Sequence, residues 1–345
     1  MKIFLGVFVV LLIGVFGYVY SVYHNVKSTM DTVYTPVETE TYREGVAGSV
    51  DESVAADAGT AEPAVAEDAS LANESTETAQ TSGTAIDAMS PSELLEAGEP
   101  VSILLLGVDT GALGRTEKGR TDSMVIVTVN PHTEQTTLVS IPRDTYAEIV
   151  GYGTWDKINH AYNFGGTAMS INSVQSLLDI PVDFYVIVNM SGIKEVVDAV
   201  GGVDVDSPIA FNQNGYSFVV GTNHLDGEAA LAFSRMRQKD PEQDTGRQGR
   251  QRLVIEEVLR KIATPETLMN YQAILNSLST NVQTSFQLSD FLALQSSDYL
   301  GAVNNIQQEQ LGGTGDMMGG VYYNFVEDAE LARVQSLLKA ELELD

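Results

Sequence analysis

The 345-residue sequence predicts an α/β fold, a central sheet covered by helices on both faces, set behind a membrane-spanning N-terminal helix. Three observations carry that expectation. At Val101 the texture of the chain changes, and VSILLLGV is a continuous apolar run of buried-strand length. From there strand-like and helix-like segments alternate, the pattern of a sheet layered between helices. Ahead of it, residues 3–23 carry no charge and match the roughly 20 residues that cross a hydrocarbon core as a helix.

Residues 1–24 read as an anchor rather than a cleaved signal peptide. A signal's apolar region is shorter and ends in small residues, whereas Tyr18, Tyr20 and Tyr23 sit where interfacial aromatics belong. Lys2 and Lys27 flank the run on either side, so charge alone does not orient it. Residues 25–100 read as an acidic, disordered linker. Between Thr35 and Pro100 the sole basic residue is Arg43, and no period of 2 or 3.6 is sustained. Such a composition buries too little apolar surface to offset its ordering entropy, and self-repulsion extends it.

Within 101–345 each element has a local cause. After the first strand, SMVIVTVN (123–130) and QTTLVSI (135–141) form a hairpin through Pro131 and His132. A helix over 167–178 leads to the strand FYVIVN (184–189), and a helix over 191–200 is stopped by Gly201 and Gly202. A helix over 226–233, an extended SRMR (234–237) and a long helix over 246–262 follow. The tail supplies helices over 265–278, 288–297 and 327–342, with strand-like stretches at 304–311 and 321–325. There is no internal repeat.

Composition narrows the chemistry. A formal charge of −28 and a pI near 4.3 argue against nucleic acid, which demands a basic face. Cysteine is absent, so disulfides, thiolate metal sites and lipid-modified Cys are excluded. Yet of 19 Lys and Arg, eight lie between Arg235 and Lys261. The sequence has no G-x-x-x-x-G-K-[ST], H-E-x-x-H or G-x-S-x-G, which removes P-loop hydrolysis, zinc proteolysis and the commonest serine hydrolases.

Two aspartates meet strand ends: Asp109 directly after the first buried strand and Asp122 just before the second. Neighbouring carboxylates suit a hard cation such as Mg2+, with Mn2+ as a substitute, although Asp is also an ordinary turn residue. Arg143 and Asp144 follow the third strand behind Pro142, as a surface ion pair or as phosphate recognition. Arg235 and Arg237, two apart in an extended segment, share one side with Met236 on the other. Arg247, Arg250 and Gln251 share a helical face close to a helix N-terminus, itself an anion-attracting end. Arg252 points elsewhere and reads as a solvated ion pair with Glu256, while Arg260 and Lys261 read as surface charges. His160, in KINHAYNFGG, reads more readily as a structural histidine than as a ligand. Arginine recurs because its planar fork binds phosphate oxygens bidentately and keeps its charge when partly desolvated. Five arginines in one cleft repel one another unless an anion of charge two or more joins them, and a diphosphate meets that need.

Eight segments in order resemble the LytR-CpsA-Psr family of cell-wall assembly enzymes: LLLGVDTG (104–111), GRTDSM (119–124), VSIPRDT (139–145), KINHAYNFGG (157–166), IPVDFYVIVNM (180–190), VVDAVGGVDV (196–205), LDGEAALAFSRMR (225–237) and DTGRQGRQR (244–252). The resemblance implies an α-β-α sandwich around a mixed sheet, held on the outer side of a Gram-positive-type cell membrane by a single-pass helix. It implies transfer of a glycopolymer such as teichoic acid or capsule from a polyprenyl diphosphate carrier to peptidoglycan, at the 6-hydroxyl of N-acetylmuramic acid. By position, Asp109 and Asp122 match Mg2+-associated aspartates, and Arg120, Arg143, Arg235, Arg237 and Arg247 match diphosphate-binding arginines. Asp244 and Gln251 fall at supporting positions, and Arg250 joins them on the helical face. A lipid groove is expected near 196–200 or 211–220. Two alternatives stand beside transfer: hydrolysis of the lipid diphosphate at the same site, and a non-enzymatic regulator of the envelope.

Overall fold

The computed structural model describes residues 34–36, 89–109, 119–264, 281–294 and 297–344. The expected spanning helix, most of the linker and the helix expected over 265–278 lie outside these residues. Among the described residues no helix is long and apolar enough to cross a membrane.

A six-stranded mixed sheet is the frame. Its strands are β1 (Val101–Val108), β2 (Thr121–Asn130), β3 (Gln135–Ser140), β6 (Phe184–Asn189), β11 (Val282–Thr284) and β12 (Ile306–Gln310), in the order β11-β6-β1-β2-β3-β12. β1 runs antiparallel to β2 and parallel to β6, and β12 runs parallel to β3. The apolar runs read in the sequence are continuous because both faces are covered. On β1, Leu104, Leu106 and Val108 enter one core while Val101, Ile103 and Leu105 enter the other. The first core is closed by α2 (His160–Leu178) and α8 (Asp328–Glu341) through Ile171, Val174, Leu178, Val334 and Leu338. The second is closed by α1 (Pro91–Ala97), α6 (Leu288–Leu294) and α7 (Ser297–Ala302) through Leu94, Leu95, Leu288 and Tyr299. This is the expected α-β-α arrangement.

A third apolar cluster lies beside the sheet. It joins α3 (Met190–Ala199), α4 (Gly227–Arg235) and α5 (Asp244–Ile262) to β7 (Val203–Ser207), β8 (Phe211–Gln213), β9 (Tyr216–Phe218) and β10 (Gly221–Leu225). Phe211, Phe218 and Phe233 pack ring against ring at 4.7–5.6 Å, with Val197 and Val200 buried beside them. Val197, Val200, Phe211 and Phe218, expected to line a lipid groove, are therefore core, filled by one another, whereas Val219 and Val220 are exposed.

The remaining strands are two hairpins, β4 (Tyr146–Ile149) with β5 (Thr154–Lys157) and β13 (Thr314–Met318) with β14 (Val321–Phe325).

Three expectations need correction. The linker is not featureless up to residue 100, because α1 carries a reciprocal capping box between Ser90 and Glu93 and stops at Gly98, whose φ of 78° favours glycine. Near its other end, Tyr34 bridges to Thr284 and Thr35 N–H donates to the Thr284 carbonyl at 2.8 Å, which covers the edge strand β11. The helix expected from 167 begins at His160, with Gly166 (φ 71°) breaking its regularity where the sequence reading stopped. SRMR is not extended throughout: Ser234 and Arg235 belong to the last turn of α4, and the chain becomes extended at Met236.

Candidate active site

A β-bulge shapes the first half of the site. β1 and β2 pair residue for residue up to Gly107 and Ser123, and then Val108 pairs with Thr121, leaving Asp122 without a partner on β1. The extra residue re-aims its side chain, as bulges beside active sites do. The Asp122 carboxylate accepts a hydrogen bond from Arg143 Nη1, delivered by the chain turning after β3 at Pro142. One residue from the bulge, Arg120 N–H donates to Asp109 Oδ1 at 3.1 Å and Asp109 N–H to the Arg120 carbonyl at 3.2 Å. Both sequence-predicted aspartates thus meet at one end of adjacent strands, each beside an arginine.

The second half is the junction of α4 with α5. Arg250 is only 1 % exposed and donates through Nε to the Phe233 carbonyl at 3.1 Å, through Nη1 to Asp240 and through Nη2 to the Met236 carbonyl. Its guanidinium also lies 5.4 Å from the Phe211 ring centroid. Arg250 was expected at the substrate; it is instead a post that ties the end of α4 to α5, its three nitrogens already engaged. By holding the Met236 backbone it leaves Arg235 and Arg237 exposed on the other side.

At the start of α5, Asp244 gathers what the post presents. Its Oδ1 lies 2.9 Å from Arg247 Nη2 and 3.5 Å from Arg237 Nε, and its Oδ2 accepts from Gln248 Nε2 at 3.1 Å. Burial pushes the Asp244 carboxyl up, but Arg247, Gln248 and Arg143 together hold it below the usual carboxylate range. Arg247 is pulled below its ordinary value by burial and then by the neighbouring Arg143 charge, against Asp244. Burial also pulls on Arg143, yet Asp122, Asp244 and Asp144 hold it above its ordinary value. These mutual effects place Arg143, Arg237, Arg247, Asp122 and Asp244 in one electrostatic cluster. Arg235 has no ion pair among the described residues, and no contact ties it to that cluster. Gln251 is half-buried one turn beyond Arg247.

Four further residues bear on the site, and sequence reasoning left two of them, Gln248 and Asp156, unnamed. Asp144 pairs with Lys157 at 2.8 Å, and its Oδ2 lies 3.8 Å from Arg143 Nε. Gln248 braces Asp244, a link legible in their spacing of four. Asp156 accepts from His160 Nδ1 at 2.7 Å and from the Tyr323 hydroxyl at 3.2 Å, which makes His160 the structural histidine it was read to be. Arg252, set aside as a surface charge, is half-buried against the sheet, donating to Ser140 Oγ at 2.7 Å and Gln308 Oε1 at 3.3 Å. Glu256, its expected partner, pairs instead with Arg260 at 2.8 Å.

The cluster has unmet donors. The Nε atoms of Arg143 and Arg247 are buried with no hydrogen-bond acceptor among the described residues. Unmet buried donors cost about 1–3 kcal/mol each, so a ligand that brings acceptor oxygens relieves a standing penalty. No group of three or more acidic or histidine side chains among the described residues could hold a metal alone. Asp109 and Asp122 nonetheless fit Mg2+, which binds through one or two carboxylates and completes its shell with phosphate oxygens and water.

The comparisons agree with this geometry. A model of the LytR_cpsA_psr family matches residues 63–340. A polyisoprenyl-teichoic acid--peptidoglycan teichoic acid transferase TagU of Enterococcus faecalis is 49% identical over 244 residues, 71% of this chain and 80% of the relative. The crystal structure of Bacillus subtilis TagU is 40% identical and superimposes with a TM-score of 0.59 over 72% of this chain and 98% of its own. A structure of TagT bound to LIIa-WTA is 28% identical, with a TM-score of 0.62 over 74% of this chain and 94% of its own. With the matched residues spanning most of its length and the sheet order carrying the same arrangement, this chain belongs to the LytR-CpsA-Psr family.

Proposed function

We propose that this chain is a transferase that moves a glycopolymer phosphate from a polyprenyl diphosphate carrier to the 6-hydroxyl of N-acetylmuramic acid in peptidoglycan. The observation that carries the reading is the pair of buried guanidinium Nε atoms, on Arg143 and Arg247, that make no hydrogen bond among the described residues. They sit among Arg237, Asp122 and Asp244 in a chain related to teichoic acid transferases.

Phosphoryl transfer leaves little covalent work to protein, so positioning and charge neutralisation dominate. Arg143, Arg237 and Arg247 grip the diphosphate, and Arg120 and Arg235 extend the positive rim. Asp109 and Asp122 would hold Mg2+, which supplies neutralisation of phosphate oxygens when bound. The acceptor oxygen forms a bond to the sugar-linked phosphorus, the bridging P–O bond breaks, and polyprenyl phosphate leaves with the electron pair. Asp109 or a neighbouring carboxylate takes the hydroxyl proton. Asp244, held acidic by its arginines, is a poor base and serves to orient them.

Residues 1–24 anchor the chain, with the catalytic domain on the outer side of the membrane where the acceptor lies. Tyr34, on the sheet edge, follows the anchor by ten residues, a reach of about 35 Å when extended. The test is product analysis by mass spectrometry with a lipid diphosphate-linked glycan and peptidoglycan. A glycan-peptidoglycan phosphodiester is the expected product, and free glycan phosphate alone would make the chain a hydrolase. Arg237→Ala should slow transfer by about 30- to 1,000-fold, the loss of one preorganised donor at about 2–4 kcal/mol.

A further inference from the structure

The arginine cluster opens at Arg237 into a cavity of about 410 Å3 whose far walls the donor reading leaves unused. Its walls come from three places: Asp144 in the loop that carries Arg143, Asp244 and Gln248 at the start of α5, and Tyr322 and Asn324 on the β13–β14 hairpin. The volume lies within the roughly 300–1,000 Å3 of small-molecule sites.

The hairpin is built to face this cavity. One of its faces is docked: Tyr323 meets Tyr146 edge-on at 5.2 Å, Phe325 meets Tyr146 at 5.4 Å, and Asn324 N–H donates to the Asp144 carbonyl at 2.9 Å. The other face carries Tyr322 and Asn324 above Gly315 and Gly313. A Cβ at Gly315 would collide with the Tyr322 ring, and one at Gly313 with the Asn324 amide, so two missing side chains make the bed on which these groups lie. Tyr322 is 49 % exposed, and its hydroxyl has no protein partner among the described residues. Across the cavity Gln248 is 5 % exposed, and its Oε1 is buried without a hydrogen-bond partner among the described residues. Gln243 at the rim holds φ 50°, ψ −108°, strain of the kind that clusters at ligand sites.

An open aromatic face, amides that both donate and accept, and a carboxylate suit a ligand with apolar ring faces and hydroxyl or acetamide edges. A pyranose has that form. We infer that this cavity is the acceptor subsite, in which a sugar ring of a peptidoglycan glycan strand stacks on Tyr322 and presents a hydroxyl toward the arginine cluster past Asp244. The inference rests on the transfer reading and deepens it, giving the acceptor a place beside the arginine cluster.

The probe is a peptide-free glycan tetrasaccharide released from peptidoglycan, titrated calorimetrically into the full-length chain. Saturable binding is expected, weakened at least tenfold by Tyr322→Ala. Gly315→Ser, which keeps the tyrosine but displaces it, should weaken binding comparably. Val220→Ser, in the exposed link between β9 and β10, should leave it unchanged, with circular dichroism confirming that each variant is folded. No binding by the wild type, equal binding by Tyr322→Ala, or equal loss in Val220→Ser overturns the subsite. Product analysis separates the two readings. A chain that makes conjugate while its tetrasaccharide affinity ignores Tyr322 keeps the transfer and loses the subsite. One that binds through Tyr322 and makes no conjugate loses the transfer and keeps the sugar site.

Discussion

Arg247 and Arg250 stand three residues apart in one helix and do opposite work. Arg250 is consumed by Asp240 and two carbonyls, so removing it strands a buried carboxylate. Arg250→Met should cost about 3–5 kcal/mol, read as a shifted midpoint in urea unfolding. Arg247 pairs with Asp244 through Nη2, and its buried Nε has no acceptor among the described residues. Its partner Asp244 keeps Gln248 and Arg237, so Arg247→Met should cost clearly less stability than Arg250→Met while abolishing measurable affinity for a polyprenyl diphosphate analogue. Reversal of that order in the two assays would exchange the roles assigned to the two residues. From the sequence the two were indistinguishable, since both occupy a helical face and both are arginines. Only the bend between α4 and α5 decides which one meets backbone carbonyls.

Elements aim the site. The bulge at Asp122 turns a strand residue toward Arg143, and the β13–β14 hairpin reaches the same region from the C-terminal part of the chain. The approach to that hairpin is clamped by Glu330, which accepts from Gly312 N–H at 2.9 Å and from Arg333 Nε at 2.8 Å. The Arg333 and Gly312 hydrogen bonds pull the Glu330 carboxyl down to about 2. An unfolded glutamate titrates near 4.3, so the clamp contributes fully above about that pH and is lost as pH falls through about 2. Glu330→Gln should thus melt below the wild type at pH 7, with a gap that closes between about pH 4 and pH 2. A gap independent of pH would show that the charge is not what holds the loop. The bulge, the clamp and β13 were not legible in the sequence: Thr314–Met318 alternates no apolar residues, and its partner strand is what makes it a strand.

At the scale of the whole molecule, the chain closes its sheet with pieces drawn from far apart. Leu94 and Leu95, 0 % and 2 % exposed, place a segment from within the acidic stretch in the second core, where Tyr299 donates to the Glu99 carbonyl at 2.5 Å. Leu94→Ala should cost about 2–5 kcal/mol and lower the melting temperature by about 4–20 °C, as calorimetry can check. A loss under about 1 kcal/mol would make α1 an appendage. SPSELLEAG carries the capping box and the stop glycine that announce this helix, but seven residues in a polar stretch are too few to display a period. The sequence by itself determined the strands 101–108, 184–189 and 321–325, the layering of helices about a sheet, the structural role of His160 and the family. These are written locally, in apolar runs, in breakers and in the order of motifs. The tertiary structure alone decided which arginines are free for an anion, that Arg252 packs on the sheet, that Val197, Val200, Phe211 and Phe218 of the expected groove are core, and that a glycine-bedded hairpin faces the arginine cluster. The reason is physical. A side chain's partners depend on what distant strands bring within about 3 Å of it, and neither burial nor an unmet donor leaves a mark in local spacing.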